Sequence, residues 1–355
     1  MSHTTEAGLI GVDISARAIC AVQLGEGRAP ALRAAACAAR PLPAAFETDA
    51  RFCAGLLRRR GFAGNRIVLA APTEKLLHAT LELPPRSSGA PIEELAAAEL
   101  GRIHRVEAAA LQVSVCELPT SGKADQSGYL AAALPSADGE ALVAAFADEG
   151  LIVETIDLRL LAIARACARI AAAPGALTPV LLLEPEGHTL AALWKGQAIY
   201  ERRLDAPELR AIDSILSEAH VGDAAVELEI MQGARRDGTA LEPALAELAG
   251  TVHAVMTRHA LELVNQLRLS LAYAAQLVPE AELNAITLIG PLAHVPAIAE
   301  VIERVLGLEV RVLTLADAAG VPGLTLPDAG GPAAPLVALG LALPARLAVG
   351  TGARA

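Results

Sequence analysis

The chain has 355 residues, enough for two or three domains that each bury a core, with 54% hydrophobic, 2% aromatic and 19% charged residues. Its net charge of −11 argues against a general nucleic-acid binder, because contact with phosphates needs a basic surface. No apolar run reaches the roughly 20 residues that span a bilayer, so direct membrane insertion is not expected.

The longest apolar run, 335–343, is broken by Pro344 and Arg346, and the opening MSHTTEAGLIGVD lacks the basic and apolar stretches of a signal peptide. A cytoplasmic location is therefore expected. Cysteines at 20, 37, 53, 116 and 167 form no CxxC motif and have no histidine at ligand spacing, so they read as buried free thiols. The basic run Arg58-Arg59-Arg60 reads as the solvated end of a helix that Gly61 terminates.

In chain order, one pattern occurs twice: a three-stranded meander followed by helix. The first copy runs from Gly8 to Asp13, Ala18 to Leu24 and Ala31 to Ala38; the second runs from Val180 to Glu184, Thr189 to Trp194 and Gln197 to Leu204, turning at Lys195-Gly196. After the first meander come a helix over 47–60 and a buried-type strand at 66–71, ended by Pro72. The pattern then changes. Residues 77–83 alternate as a strand stopped by Pro84-Pro85, 92–103 carry helical spacing, and 111–118 and 129–134 are strands around a polar loop. A helix over 137–149 ends at Gly150.

The strand–helix–strand–strand block reads as a subdomain inserted into the first half. A strand at 152–156 and a helix over 158–172 lead out of it, and 171–179 is a linker. The expected organisation is a first half of 1–71 and 151–176, an insert of 72–150, a second half of 177–350 and a frayed tail of 351–355. In the second half, helices are expected near 207–219 and 223–234, then a long one over 243–277. A strand at 285–289 meets Gly290; a helix with Val295, Ile298, Ile302 and Val305 inward follows, then a strand at 308–313, a Gly/Pro-rich loop at 316–333 and a last helix from Pro335.

Five segments in order resemble the PilM-type actin-like proteins of type IV pilus assembly: GVDISARAICAVQL (11–24), TLELP (80–84) with the helix around Glu99, KGQAIYERRL (195–204), the strand–Gly–helix–Leu-Gly–strand unit of 286–313, and VALGLAL (337–343). The likeness extends to the cytoplasmic components of type II secretion and mannose-sensitive pilus systems. It implies an α/β, actin-like duplicated ribonuclease-H-like fold with an FtsA-type subdomain inserted in the first half. It also implies a PilN-like bitopic inner-membrane partner, whose cytoplasmic tail is held in a groove between first half and insert, association with the inner membrane through that partner, and possible self-association in a ring. The expected groove lining is Leu77, Leu81, Leu83, Leu111, Val113 and Val115.

The resemblance also places a nucleotide site at Gly11, Asp13, Ser15, Glu184, Gly187 and Gly290, and that site looks degenerate. Asp13 stands where the first hairpin's Mg²⁺-orienting Asp belongs, and reads either as a vestigial metal group or as a satisfied polar residue at a strand end. The family's next Gly is Ser15 here and its Lys is Cys20. Its second Asp falls on Leu182 unless a small deletion brings Glu184 into place, Pro185 follows, and its Gly-Gly becomes Gly290-Pro291. A Cβ at the Gly position hinders close approach to a phosphate, and proline has no N–H to donate. No cofactor is expected, and any binding of ATP with Mg²⁺ should be weak.

The histidines 78, 104, 188, 253, 259 and 294 show no nucleophile or metal pattern and read as surface or boundary residues. A non-catalytic scaffold is the first reading. The alternatives are a phosphotransferase like the sugar and acetate kinases, or an ATP-binding filament former; both need the phosphate-binding features that this chain lacks.

Overall fold

The computed structural model describes residues 7–25, 31–119, 126–168, 175–234, 239–321 and 335–344. The first half opens with β1 (Ala7–Ile14), β2 (Ala18–Gly25) and β3 (Leu32–Ala39), paired antiparallel. Helix α1 (Phe46–Arg59) follows, with Glu47 and Asp49 in its first turn and Arg58 and Arg59 in its last, each sign matched to the helix dipole. Strand β4 (Arg66–Ala70) pairs parallel to β1.

The insert carries β5 (Leu77–Leu83), α2 (Ile92–His104), β6 (Leu111–Glu117) and β7 (Ser127–Pro135) in a three-stranded sheet of order β5-β7-β6. The chain returns through α3 (Ser136–Asp148), β8 (Ile152–Asp157) and α4 (Arg159–Cys167), completing the sheet β3-β2-β1-β4-β8. Leu142, Ala145 and Phe146 of α3 are buried in one cluster with Ile10, Val12, Cys53 and Leu57, so this helix packs into the core of the first half.

The second half repeats the plan. Strands β9 (Leu177–Glu184), β10 (Gly187–Trp194) and β11 (Gln197–Leu204) form its meander. Helices α5 (Pro207–Glu218), α6 (Ala224–Gln232) and α7 (Pro243–Leu277) precede β12 (Ala285–Ile289), α8 (Pro296–Leu306) and β13 (Glu309–Val312). The sheet order β11-β10-β9-β12-β13 matches the first sheet strand for strand, with the same antiparallel meander and parallel additions. Proline begins α5, α7 and α8, where its missing N–H costs nothing, and Gly307 ends α8 in the left-handed conformation. This is the duplicated α/β fold with an inserted subdomain that the sequence implies.

Several local expectations change. Strands β9 and β10 start at Leu177 and Gly187, so the linker is shorter than 171–179; residues 169–174, including the expected end of the 158–172 helix, lie outside the described residues. The expected 316–333 loop begins with a short helix, α9 (Leu315–Ala319), capped by reciprocal bonds between Thr314 and Asp317; 322–334 and the expected frayed tail lie outside the described residues. The β2–β3 register puts Cys20 directly opposite Cys37, and the two form a disulfide rather than free thiols. Cys116 is exposed, while Cys53 and Cys167 are the buried free thiols.

The last helix, α10 (Leu336–Ala342), packs on the first sheet and on α4, and α4 in turn packs against the second sheet. Two glycines permit this stack. A Cβ on Gly11 of β1 would stand 2.0 Å from the Ala338 carbonyl oxygen, and one on Gly340 would stand 1.9 Å from that of Ala162. Arg165 of α4 secures the layer, its Nε donating to the Gly340 carbonyl at 2.8 Å while its guanidinium pairs with Asp157. Gly340→Ala should therefore lower the unfolding free energy by about 3 kcal/mol, the upper range for overpacking a filled core. Gly250→Ala on α7, where a Cβ meets nothing within 4 Å, should be neutral or stabilising by up to about 1 kcal/mol. Urea titration of both variants checks the contrast.

Candidate functional site

The two meanders place two hairpins face to face. The first joins β1 to β2 through Ser15, Ala16 and Arg17, and the second joins β9 to β10 through Pro185 and Glu186. Asp13 lies near the end of β1 and Glu184 ends β9; both are buried, at 4% and 8% exposure. Between them reaches Arg159, the first residue of α4. Its Nη2 donates to Asp13 Oδ2 at 3.0 Å and to Glu184 Oε1 at 2.5 Å, its Nη1 donates to Glu184 Oε2 at 3.0 Å, and its Nε lies 3.0 Å from Asp13 Oδ1.

Burial pushes the Asp13 carboxyl up from its ordinary range, Arg159 pulls it back, and nearby Glu184 adds to the rise. Burial also works against the charge on Arg159, but its two carboxylate partners more than offset this and hold its pKa well above the ordinary value. Arginine at the start of a helix opposes the helix dipole, so these carboxylates compensate an otherwise unfavourable position.

The first hairpin's backbone donors are also engaged. Ser15 N–H donates to the Ala18 carbonyl at 2.9 Å, Ala18 N–H to Ser15 Oγ at 3.0 Å, and Ala16 N–H crosses to Glu186 Oε1 of the second hairpin at 3.0 Å. Arg17 pairs with Asp213 on α5, again across the halves. The cavity behind the hairpins measures about 90 Å³, lined by Asp13, Ser15, Cys20, Glu184, Leu228, Met231 and Pro291 among others. Pockets for small-molecule ligands usually span roughly 300–1,000 Å³.

The Asp13 and Glu184 carboxylates are thus paired by a guanidinium, the hairpin N–H groups at Ser15, Ala16 and Ala18 bond to the protein's own oxygens, and Glu186 adds a further carboxylate at the mouth.

Of the residues assigned to that site from sequence, Asp13 and Glu184 meet through Arg159, and Ser15 lies beside them. Gly11 serves the packing of α10 instead. Gly187 opens β10, paired with Glu184 across the β9–β10 turn, and Gly290, with φ +96°, follows β12, where a Cβ would stand 2.6 Å from the Leu183 carbonyl oxygen. Arg159 was not singled out from sequence, although an arginine opening a helix straight after a strand is a signal that acidic partners are near.

The six residues expected to line a partner groove share one face of the insert's sheet, the face that α2 covers. Leu81 and Leu83 are buried with Ile92, Ala96, Leu100 and Tyr129, and Leu77, Leu111, Val113 and Val115 pack against the same cluster. Leu81 and Leu83 thus belong to the insert's own core, and the other four are half-buried beside it. A separate cavity of about 60 Å³ lies where the insert meets the halves, lined by Leu76, His78, Leu130, Ile163, Thr189 and Glu201 among others.

His188 and His259 are fully buried, not surface residues, with their Nε2 atoms 2.7 Å apart and His259 Nδ1 3.0 Å from Glu208 Oε2. A carboxylate only accepts, so the neutral His259 carries its proton on Nδ1 and His188 Nε2–H donates to it. Burial, with His259 adding to it, pushes the His188 pKa down to about 3; burial lowers that of His259 too, against the opposing pull of Glu208.

No described helix is long and apolar enough to cross a membrane, and no cluster of potential metal ligands occurs among the described residues.

No protein-family profile matches the chain, and no curated protein sequence does. Solved structures do match in fold. The PilM–PilN type IV pilus biogenesis complex aligns over 94% of this chain and 97% of its own at 18% identity, with a TM-score of 0.71. The diol dehydratase-reactivating factor in nucleotide-free form aligns over 95% and 99% at 9% identity and 0.53. The ethanolamine utilization protein EutJ from Carboxydothermus hydrogenoformans aligns over 95% and 89% at 14% identity and 0.50.

At His188 the folded state binds fewer protons than the unfolded chain between about pH 3 and 6.5, because the His188 pKa is depressed on folding. Stability from this group is complete above pH 6.5 and falls as pH drops, by up to about 1.4 kcal/mol per pH unit for one proton. His188→Gln should shrink the difference in urea midpoint between pH 7.5 and 5.0. An unchanged difference would assign the acid sensitivity to other groups. The chain thus has the actin-like fold that its sequence resemblance to the PilM-type proteins implies.

Proposed function

We propose that this protein is a non-catalytic scaffold of type IV pilus or type II secretion-like machinery, and that it captures the cytoplasmic tail of a PilN-like bitopic inner-membrane partner. The observation that carries the reading is the extent of the fold match to the PilM–PilN complex, which spans nearly the whole of both chains, insert included. The occupied cleft supports the absence of catalysis: a phosphotransferase or an ATP-binding filament former needs donors and a metal position that here bind the protein's own groups. With no membrane-crossing helix among the described residues and a net charge of −11, its place is in the cytoplasm, at the inner membrane only through the partner. Self-association in a ring belongs to the same reading.

Short tails are usually captured by strand addition at a sheet edge, plus a few side-chain pockets. Strands β5 and β6 are the edges of the insert's sheet. The cavity beside β5, between Leu76, His78 and Leu130 of the insert and Ile163 of the first half, is sized for one aliphatic side chain of the tail. The insert is thus the recognition module, proposed to run over 72–135 as a unit because α3 serves the first half's core.

The test is pull-down with a synthetic peptide of the partner's cytoplasmic tail. Replacing 72–135 by a short linker should abolish capture while circular dichroism and a cooperative melt show that the halves remain folded. Undiminished capture would move the site elsewhere.

A further inference from the structure

We propose that Arg159 is a resident counter-cation that locks the cleft shut, so that the two halves are held together by the chain's own charges and need no bound ligand for closure. Asp13 lies one residue from the end of a central strand of one sheet, and Glu184 ends its counterpart in the other. Two buried carboxylates on facing strand ends repel each other and are costly to desolvate unless a cation stands between them. The Arg159 guanidinium stands there, contacting both carboxylates through all three nitrogens. The start of α4 adds roughly half a positive charge on the same side.

Two further contacts cross the same mouth, Ala16 N–H to Glu186 and Arg17 to Asp213. Arg17 and Asp213 are substantially exposed and contribute little by themselves. Arg159 is the buried member of the set and belongs to the first half, with Asp13, while Glu184 belongs to the second. The lock therefore acts across the cleft and not merely within one sheet. It does not depend on the identity of any partner.

Arg159→Ala leaves both carboxylates buried and uncompensated, and should lower the melting temperature by about 5–10 °C. Millimolar Mg²⁺ or methylguanidinium should restore much of that loss in the variant while leaving the wild-type melt unchanged. A variant that melts like the wild type, or whose loss neither cation restores, would overturn the proposal. Should Arg159→Ala fail to fold, the triple variant Arg159→Met, Asp13→Asn, Glu184→Gln decides. Removing the charges together should return a folded protein whose halves are no longer locked, read in small-angle X-ray scattering as a larger radius of gyration than that of the wild type, and an unchanged radius would overturn the lock.

Discussion

Two carboxylates buried at facing strand ends set the terms for the centre of this molecule. Each half of a duplicated α/β fold brings the end of its first strand to the same cleft, and here both ends are acidic. Buried like charges at that spacing require a cation, and the chain supplies one from the first residue of a helix that lies between the sheets. The close stack of β1, α10 and α4, made possible by Gly11 and Gly340, fixes where α4 begins and so where the guanidinium points. The backbone packing and the charge arrangement are therefore one constraint seen at two levels.

Function follows from what that constraint leaves available. The N–H groups of Ser15, Ala16 and Ala18 are committed to internal contacts, and the cavity behind them measures only about 90 Å³. The insert keeps two strand edges and a junction cavity, which suit recognition of an extended peptide.

Element positions were largely legible in the sequence because period and punctuation carry them. The long helix was placed at 243–277 from its apolar seam, and β11 and β12 fell at 197–204 and 285–289 between clear turn signals. What could not be read was pairing in space. Cys20 and Cys37 meet only through the β2–β3 register, and His188 finds His259 across 71 residues. The alternation at 77–83 gives one apolar face of β5 but not the neighbour that covers it, which in the fold is α2. Asp13 and Glu184 were visible as candidates, whereas Arg159 lies 146 residues from Asp13 and gains its meaning from the fold.

The most direct measurement of closure is small-angle X-ray scattering of the purified chain with and without Mg²⁺-ATP. Halves held by their own charges predict the same radius of gyration and the same pair-distance distribution in both conditions. A more compact particle on adding Mg²⁺-ATP would mean that the cleft stands open until a ligand closes it, and would contradict an internally locked core.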